Sequence, residues 1–273
     1  MGKKKHDRIW LIGGTSESRE LAIALAQAQI SCLVSVTTEA ARSLYPQNPL
    51  IEIWVGKLEF SEIEKFFHQQ DICAILDASH PFAVEISQLA IAAAAEFQLP
   101  YLRYERENSD YESQNQPTGI VGPEIHSRSP LYLDSFETLV NGNYLSGHRV
   151  LLTIGYRHLS LFRPWQHKCT LFVRLLPSIP ALQAAQEAGF SSDRILAIRP
   201  PLSLELERAL WKHWQISAIV TKASGQAGGE GIKRQLAKEL NVKLLMIQRP
   251  LIPYPQQTHD LAVSINFCHQ AIN

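Results

Sequence analysis

The chain has 273 residues, of which 45% are hydrophobic, and its 26 lysines and arginines balance 26 aspartates and glutamates. At about 100–200 residues per domain, this length predicts two domains or one large one, each able to bury a hydrophobic core. The zero formal charge argues against a general nucleic-acid binder, so an anionic ligand would have to meet local groups of arginine and lysine.

The first part of the chain alternates short apolar runs with helical patterns. Apolar runs at 9–12, 30–36, 50–55, 72–76 and 101–104 predict strands, and the segments from Thr15 or Ser16 onwards, 59–69 and 82–97 predict helices. This alternation predicts a parallel sheet covered on both faces. Residues 107–130 lose the periodicity and are rich in Asn, Ser, Gln, Pro and Gly, which predicts a loop or linker.

A second alternating series predicts a second α/β unit. Its apolar runs lie at 149–154, 169–175, 194–198, 218–222 and 243–248. The run that ends before Gly155 resembles the run before Gly13, which hints at two similar halves. The sequence therefore predicts two Rossmann-like parallel-sheet domains, at 1–110 and 146–273, with a linker region at 111–145. We expect the two domains to face each other across a ligand-binding cleft.

The turn after the first apolar run has the features of a nucleotide-binding turn. Two adjacent glycines let the backbone turn tightly, and the following helix start would offer unpaired N–H groups and a positive dipole end to a pyrophosphate. The dinucleotide fingerprint has a third glycine, near where Ser18 stands, so a bare strand-to-helix turn is the alternative. The predicted pyrophosphate-binding residues are Gly13, Gly14, Thr15, Ser16 and Glu17.

The residues at the end of the second predicted strand determine whether such a fold prefers NADH or NADPH. An acidic residue about 20 positions after the glycines would bind the ribose of NADH. Ser35 and Thr37 occupy this region with hydroxyls, and Arg42 lies close enough to neutralise a 2′-phosphate, so NADPH is favoured. If Glu39 instead stood at the strand tip, NADH would be preferred; ordinary helix-capping roles are a further alternative.

Polar residues also follow the fourth predicted strand, where the cleft of an α/β sheet concentrates its ligands. Asp77, Ser79 and His80 are predicted to contact the cofactor. His80 is also the candidate catalytic residue, because an imidazole can donate a hydrogen bond or a proton. A capping histidine beside Pro81 is the alternative.

Two arginines follow the next strand and are candidate substrate ligands. Arg103 and Arg106 could clamp carboxylates with their planar guanidinium groups. The neighbouring Glu105 and Glu107 leave surface ion pairs as the alternative.

A second glycine-rich turn begins at Thr221 and reaches Lys233. Its hydroxyl, ammonium and backbone donors suit anions, although it lacks the frame of a P-loop. A flexible connection is the alternative. The predicted substrate-binding residues of this turn are Lys222, Ser224, Gly225 and Lys233.

Several other motifs are missing from the sequence. No tyrosine has a lysine four residues later as in short-chain dehydrogenases, neither H-E-x-x-H nor G-x-S-x-G occurs, and the histidines suggest no metal site. The four cysteines form no C-x-x-C pair and nothing approaches the ~20 apolar residues of a membrane span, which predicts a reduced, cytoplasmic protein. We interpret the basic run at 3–5 as a solvated tail.

Taken together, these motifs resemble the precorrin-6A reductase family over almost the whole chain. The segments that carry the resemblance, with Lys233, are GGTSESRELA, DASHPFAVEIS, PYLRYER, LLTIGYRHL, VRLLP, TKASGQAGG and IQRP. DASHPFA and TKxSGxxGG are specific to the family, whereas the glycine turn is generic. The chain departs from the family at Ser79, where threonine is usual, and at Ala223, where aspartate or asparagine is common.

The resemblance implies reduction of one double bond of the precorrin-6A macrocycle, or of its cobalt form, to precorrin-6B in cobalamin biosynthesis. Hydride from NADPH, or alternatively NADH, would reach carbon 19, and a proton would reach the neighbouring carbon. The carboxylate arms of this tetrapyrrole substrate would meet scattered cations, including Arg174 and Arg249 as well as the candidates above. Neighbouring enzymes of the pathway are candidate partners. A reductase of another polycarboxylate and a non-catalytic NADPH-sensing module are the alternatives.

Overall fold

The computed structural model describes residues 8–105, 129–225 and 228–273. These residues divide into two units. The first comprises 8–105 and returns at 251–273, and the second comprises the described residues between 129 and 250. Each unit contains a six-stranded sheet, and the paired strands of both sheets run parallel.

The first unit alternates strands and helices in the order that the apolar runs predict. Its strands are β1 (Arg8–Ile12), β2 (Cys32–Val36), β3 (Ile51–Val55), β4 (Ile72–Asp77), β5 (Tyr101–Tyr104) and, from the C-terminal segment, β12 (Gln257–Thr258). Its helices are α1 (Ser16–Gln27), α2 (Glu39–Arg42), α3 (Ile63–Gln69), α4 (Val84–Glu96) and the C-terminal α9 (Leu261–Ile272), with a 3-10 turn at Phe60–Glu62.

Helices cover both faces of the first sheet, so its central strand is apolar on both sides. Ile9 and Leu11 of β1 pack in a cluster with side chains of α1 and α9. Trp10, between them, faces the opposite cluster, which contains Phe66 and Phe67 of α3. Alternate residues of a strand point to opposite faces, which explains why a doubly covered strand is continuously apolar.

The second unit repeats this plan. Its strands are β6 (Leu131–Leu133), β7 (Arg149–Thr153), β8 (Thr170–Leu175), β9 (Ile195–Ala197), β10 (Ala218–Lys222) and β11 (Lys243–Ile247). Its helices are α5 (Phe136–Asn141), α6 (Ile179–Glu187), α7 (Leu204–His213) and α8 (Glu230–Leu240), with 3-10 segments at Leu159–His167 and Ser192–Arg194.

The two sheets share one strand order. The first runs β12-β5-β4-β1-β2-β3 and the second runs β6-β11-β10-β7-β8-β9. Five strands of each follow the order 3-2-1-4-5, and a strand from outside that series pairs at the sixth position. The predicted fold class of two Rossmann-like parallel-sheet domains is thus confirmed; the cleft between them stays a prediction.

The predicted domain boundaries differ from these units in two places. Residues 251–273 belong to the first unit, because β12 pairs with β5 and α9 packs on β4. The predicted linker region at 111–145 contains β6 and α5, and β6 pairs with β11. Most of the predicted loop at 107–130, like the basic run at 3–5, lies outside the described residues.

Two further predictions concern the whole chain. The four cysteines are all free thiols. Among the helices that the structure describes, none is long and apolar enough to cross a membrane.

Candidate functional site

The strand order of the first sheet reverses between β1 and β4, and ligands of open α/β sheets bind at such a switch point. The chain leaves β1 toward β2 on one side, whereas β4 leads to β5 on the other. The Ala78 amide just after β4 donates to the Ile12 carbonyl at the end of β1, 3.1 Å away. The predicted glycine turn and the DASHP loop therefore lie side by side at the carboxyl edge of the sheet.

The two glycines of this turn are required for different physical reasons. A Cβ at Gly13 would lie 2.4 Å from the Tyr45 hydroxyl and 2.6 Å from Val34 Cγ1, so no side chain fits there. Gly14 has φ +99°, a conformation that favours glycine, and a Cβ there would meet no heavy atom within 4 Å. The first glycine permits close packing, and the second leaves an open backbone surface.

Thr15 is the N-cap of α1, and its hydroxyl is engaged within the protein. The hydroxyl accepts from the Ser18 amide at 3.0 Å and donates to the Ala78 carbonyl at 2.8 Å. Ser18 Oγ accepts in return from the Thr15 amide, which completes a capping box. Thr15 thus joins the helix start to the loop after β4, and Ser18 fills the position of the missing third glycine.

The first turn of α1 also contains the predicted Ser16 and Glu17. The Ser16 hydroxyl is exposed and donates to the Glu17 carboxylate at 2.9 Å. A carboxylate in the first turn stabilises the helix dipole but opposes an incoming anion. Glu17 therefore suits helix capping better than direct contact with a phosphate.

Tyr45 is a member of the turn that the sequence did not reveal. Its hydroxyl accepts from the Gly14 amide at 2.8 Å and lies 2.6 Å from Ser18 Oγ. Because the Ser18 hydroxyl proton is directed to the Thr15 carbonyl, Tyr45 donates to Ser18. Burial raises the pKa of Tyr45, which keeps the phenol protonated for this bond.

The predicted cofactor-selecting residues separate into a buried and an exposed set. Ser35 is buried within β2, and its hydroxyl accepts from the Trp10 indole N–H at 2.8 Å. The Ser35 hydroxyl is thus bonded within the sheet, and its contact with the cofactor stays a prediction. Thr37 is exposed after the strand, while Arg42 on α2 is exposed and paired with Glu39 at 2.9 Å. Glu39 is the first residue of α2 and does not stand at the strand tip.

A buried polar network lies at the end of β4 and includes Asp77, whose contact with the cofactor stays a prediction. Asp77 is 0% exposed, and its carboxylate accepts from Ser87 at 2.7 Å, Tyr101 at 2.8 Å and Arg103 at 2.9 Å. It also accepts from the Ser79 amide at 2.9 Å, which shapes the loop after the strand. Asp77 holds this loop in place through buried hydrogen bonds, and its carboxylate is not exposed at the surface.

Arg103 is the cation of this network, and its role as a substrate ligand stays a prediction. The side chain is 1% exposed, donates to Asp77 and Ser79, and pairs with Glu105 at 3.1 Å. Its guanidinium also lies over the Tyr254 ring, 5.0 Å from the centroid. Arg103 thus anchors the C-terminal segment to the first sheet. The other predicted arginine, Arg106, lies outside the described residues.

His80 is exposed in the loop that this network supports. Its Nδ1 accepts from the Phe82 amide at 3.2 Å, so the proton of the neutral ring lies on Nε2. Ser79, two residues after Asp77, is buried and bonded within the network. Of the three predicted polar residues of this loop, His80 alone has an exposed side chain.

The second glycine turn is stabilised from within by a glutamate and a lysine. Glu230, at the start of α8, accepts from the Gly225 amide at 3.0 Å, and Gly225 has φ +70°. Lys233 donates to the Gly228 carbonyl and is 3% exposed. Burial, together with the nearby Arg174 guanidinium, lowers the pKa of Lys233 to about 8. The ammonium lies beneath the turn and bonds the backbone, and the binding of substrate by Lys233 stays a prediction.

Two other predicted cations are engaged in the second unit. Arg174 pairs with Glu207, which also accepts from the Trp211 indole N–H at 3.1 Å. Arg249 donates to the Ala223 carbonyl at 2.9 Å. Both arginines therefore hold neighbouring segments together.

Lys222 and Ser224 remain at the carboxyl edge of the second sheet. Lys222 is the last residue of β10 and is half-buried, and its ammonium lies 5.7 Å from the centre of the Phe136 ring. Burial and the Arg157 guanidinium lower the pKa of Lys222 to about 8. Among the residues that the structure describes, no group of three or more His, Cys, Asp or Glu side chains could hold a metal ion.

Known proteins are similar to this chain along almost its whole length. A family described as precorrin-6x reductase CbiJ/CobK matches residues 8–269. A cobalt-precorrin-6A reductase of Synechocystis sp. is 44% identical, covering 96% of each chain. A cobalt-precorrin-6A reductase of Priestia megaterium is 32% identical over 90% of this chain and 92% of its own.

A solved structure shows the same fold. The CobK precorrin-6A reductase structure superposes with a TM-score of 0.73 at 21% identity, covering 97% of this chain and 96% of its own.

Proposed function

Because this chain belongs to the precorrin-6x reductase family, whose members are oxidoreductases of cobalamin biosynthesis, we propose that it transfers hydride from NADPH to cobalt-precorrin-6A. The observation that carries the proposal is the Gly13–Gly14 turn at the switch point of the first sheet. A proton from water adds at the neighbouring carbon, and the products are NADP⁺ and the cobalt form of precorrin-6B.

The turn fits the pyrophosphate of a dinucleotide. Gly13 brings the backbone close to the sheet, and Gly14 presents a backbone surface with no atom where a side chain would stand. The start of α1, a helix of 12 residues, adds the positive end of its dipole. A bound nicotinamide would supply the hydride, and the protein's share would be to position it against the substrate carbon and to stabilise the developing charge.

We assign cofactor preference to Thr37 and Arg42. Both are exposed just beyond the end of β2, where the ribose of a dinucleotide is held in this fold. The Arg42 guanidinium now bonds Glu39, which would otherwise oppose a 2′-phosphate. An arginine that can turn from a surface carboxylate to a phosphate favours NADPH, since exposed ion pairs contribute only ~0–1 kcal/mol.

The cobalt form of the substrate is proposed from the relatives. Both curated relatives compared above are named for cobalt-precorrin-6A, and one of them shares 44% of its residues with this chain. On the protein side, the proposed donors to the macrocycle are the side chains of Lys222 and Ser224, since the Gly225 amide is bonded to Glu230. Their place at the carboxyl edge of the second sheet, half-buried, supports this assignment.

His80 is the proposed polar group beside the nicotinamide. Its loop adjoins the glycine turn through the bond from Thr15 to Ala78, and its ring is exposed. With Nδ1 accepting from Phe82, the Nε2–H is the donor that the neutral ring can offer. His80→Ala should lower kcat about tenfold, whereas His68→Ala, an exposed histidine on α3, should leave it unchanged. Equal turnover in both variants would remove His80 from the mechanism.

The test is oxidation of reduced nicotinamide by purified protein given cobalt-precorrin-6A, followed at 340 nm. We expect turnover, with a lower KM for NADPH than for NADH. Arg42→Ala should raise the KM for NADPH about tenfold, the loss of one charged hydrogen bond, and leave that for NADH unchanged. Arg19→Ala, an exposed arginine on α1, is the matched control. Absence of turnover with either cofactor and either form of the substrate would overturn the proposal.

A further inference from the structure

The second sheet has its own switch point, between β7 and β10, and cations meet there. Strand β10 ends at Lys222, and the segment after β7 contains Arg157 and His158. The chain leaves β7 through Gly155, whose φ of +77° suits glycine and where an added Cβ would meet no atom within 4 Å. The segment LLTIGYRHL, which carries part of the family resemblance, thus places two basic residues at the expected ligand-binding position of this sheet.

A shared aromatic ring joins these groups. The Phe136 ring is 4% exposed and stacks on His158 with a centroid distance of 4.2 Å and an interplanar angle of 22°. The Lys222 ammonium lies 5.7 Å from the same ring centre. The imidazole, from the segment after β7, and the ammonium, from the end of β10, therefore lie against the same ring, which positions both by packing.

The charges of the cluster oppose one another. Burial and then Arg157 lower the pKa of Lys222 to about 8. Burial and then Lys222 lower the pKa of His158, and Arg157 acts in the same direction, while the facing carboxylate of Glu137 acts against them. Among the residues that the structure describes, no carboxylate oxygen lies within 4.0 Å of the Arg157 guanidinium. An added anion would relieve this repulsion.

We propose that Lys222, Arg157 and His158 form a carboxylate-binding site for one side arm of the macrocycle. The inference rests on the proposed function only for the identity of the ligand, a polycarboxylate tetrapyrrole. Lysine and arginine are the charged donors that carboxylates prefer, and a half-buried position strengthens the interaction relative to the open surface. This site differs from the Lys233 group, whose cations face Glu207 and Glu230.

Binding of a carboxylate should also draw a proton onto His158. The anion stabilises the imidazolium, so the pKa of His158 rises on binding and affinity falls as pH rises through its value in the complex. Lys222, Arg157 and Glu137 are the charged groups that face His158. The shift is measurable by NMR of the imidazole and does not depend on turnover.

The test uses uroporphyrin I, a stable tetrapyrrole with eight carboxylates, as the binding probe on the full chain. Lys222→Met, Arg157→Gln and His158→Gln should each weaken binding about tenfold, measured by porphyrin fluorescence. The matched controls Lys212→Met, Arg163→Gln and His167→Gln change exposed residues of the same unit and should bind within twofold of the wild type. Lys222→Arg keeps the positive charge and should retain most of the wild-type affinity for the probe, unlike Lys222→Met.

The outcomes distinguish failure of the proposed carboxylate site from failure of the proposed function. Unweakened binding in the three site variants, or an unchanged His158 pKa on probe binding, overturns the carboxylate site even if the wild type reduces cobalt-precorrin-6A. Weakened binding and a raised His158 pKa support the site even if the wild type oxidises no NADPH, in which case the proposed function alone fails. Near-ultraviolet circular dichroism identifies a misfolded variant. If Lys222→Met is misfolded, the affinity of Lys222→Arg for the probe and the change in its His158 pKa on probe binding decide the result.

Discussion

Replacing Lys233 by methionine should change how stability depends on pH. The Lys233 ammonium is 3% exposed, lies beneath the second glycine turn and has a pKa lowered from 10.5 to about 8. Its causes are burial first and Arg174 second, with Glu207 and Glu230 acting against them. Methionine has a similar length without the charge, so the variant removes the ionisation and keeps much of the packing.

The sign follows from proton binding in the two states. Between pH 8 and 10.5 the unfolded chain holds the proton of Lys233 more than the folded chain does, so stability rises with pH across this window. A fall in pKa from 10.5 to about 8 corresponds to roughly 3 kcal/mol, at ~1.4 kcal/mol for each pKa unit. Below pH 8 the folded protein bears the full cost of the buried cation.

Urea unfolding followed by tryptophan fluorescence at pH 7, 8, 9 and 10 measures this difference. The wild type should gain roughly 2 kcal/mol more than Lys233→Met between pH 7 and pH 10. Lys238→Met, an exposed lysine of the same helix, should follow the wild type. Parallel pH curves for wild type and Lys233→Met would show that the ammonium is solvated, which would refute the reasoning from its burial.

Three further variants test the first unit. Gly13→Ala should raise the KM for NADPH at least tenfold and cost about 1–3 kcal/mol, because its Cβ would lie 2.4 Å from the Tyr45 hydroxyl; wild-type kinetics and urea stability would refute this. Tyr45→Phe should cost about 1–3 kcal/mol by leaving the Gly14 amide without its acceptor, and an unchanged unfolding midpoint would count against that bond. Asp77→Asn should cost about 3–5 kcal/mol because Arg103 loses its buried partner, and a thermal shift below 2 °C would contradict the reasoning.

The sequence predicted most strands well because parallel strands are buried on both faces. The runs at 101–104 and 218–222 coincide with β5 and β10, and both units have the predicted alternation. The C-terminal β12 was missed because it has two residues, Gln257 and Thr258, with no apolar signal. Strand β6 has an apolar pattern, but a lone three-residue run does not reveal which sheet it joins.

Features of the site could be predicted from the sequence where they depend on a single position in the chain. The backbone freedom of Gly14 belongs to one position in the chain, whereas the pairing of Tyr45 with Gly14 joins residues 31 positions apart. Composition does not signal that kind of contact, and the same applies to the partners of Ser35 and Asp77.

Lys233 differs from these residues, because the sequence of its own helix indicates that it is buried. The buried residues of α8 are Glu230, Lys233, Leu236 and Ala237, at the three- and four-residue spacing of one helix face. Helical periodicity therefore places Lys233 on the inward face, whereas the prediction considered only its closeness in sequence to the glycine-rich turn.

The two sheets share a strand order but differ in charge at their switch points, which is consistent with a division of labour. At the first, the exposed turn consists of glycine and hydroxyl residues, and the buried cation Arg103 is neutralised by Asp77 and Glu105. At the second, Lys222 and Arg157 lie near each other, with depressed basicity at Lys222. A dinucleotide pyrophosphate needs close backbone approach, which glycine permits, whereas carboxylate arms need long cationic side chains. If both proposed sites bind as described, placing each requirement on its own sheet would let a chain of zero formal net charge bind two anionic molecules.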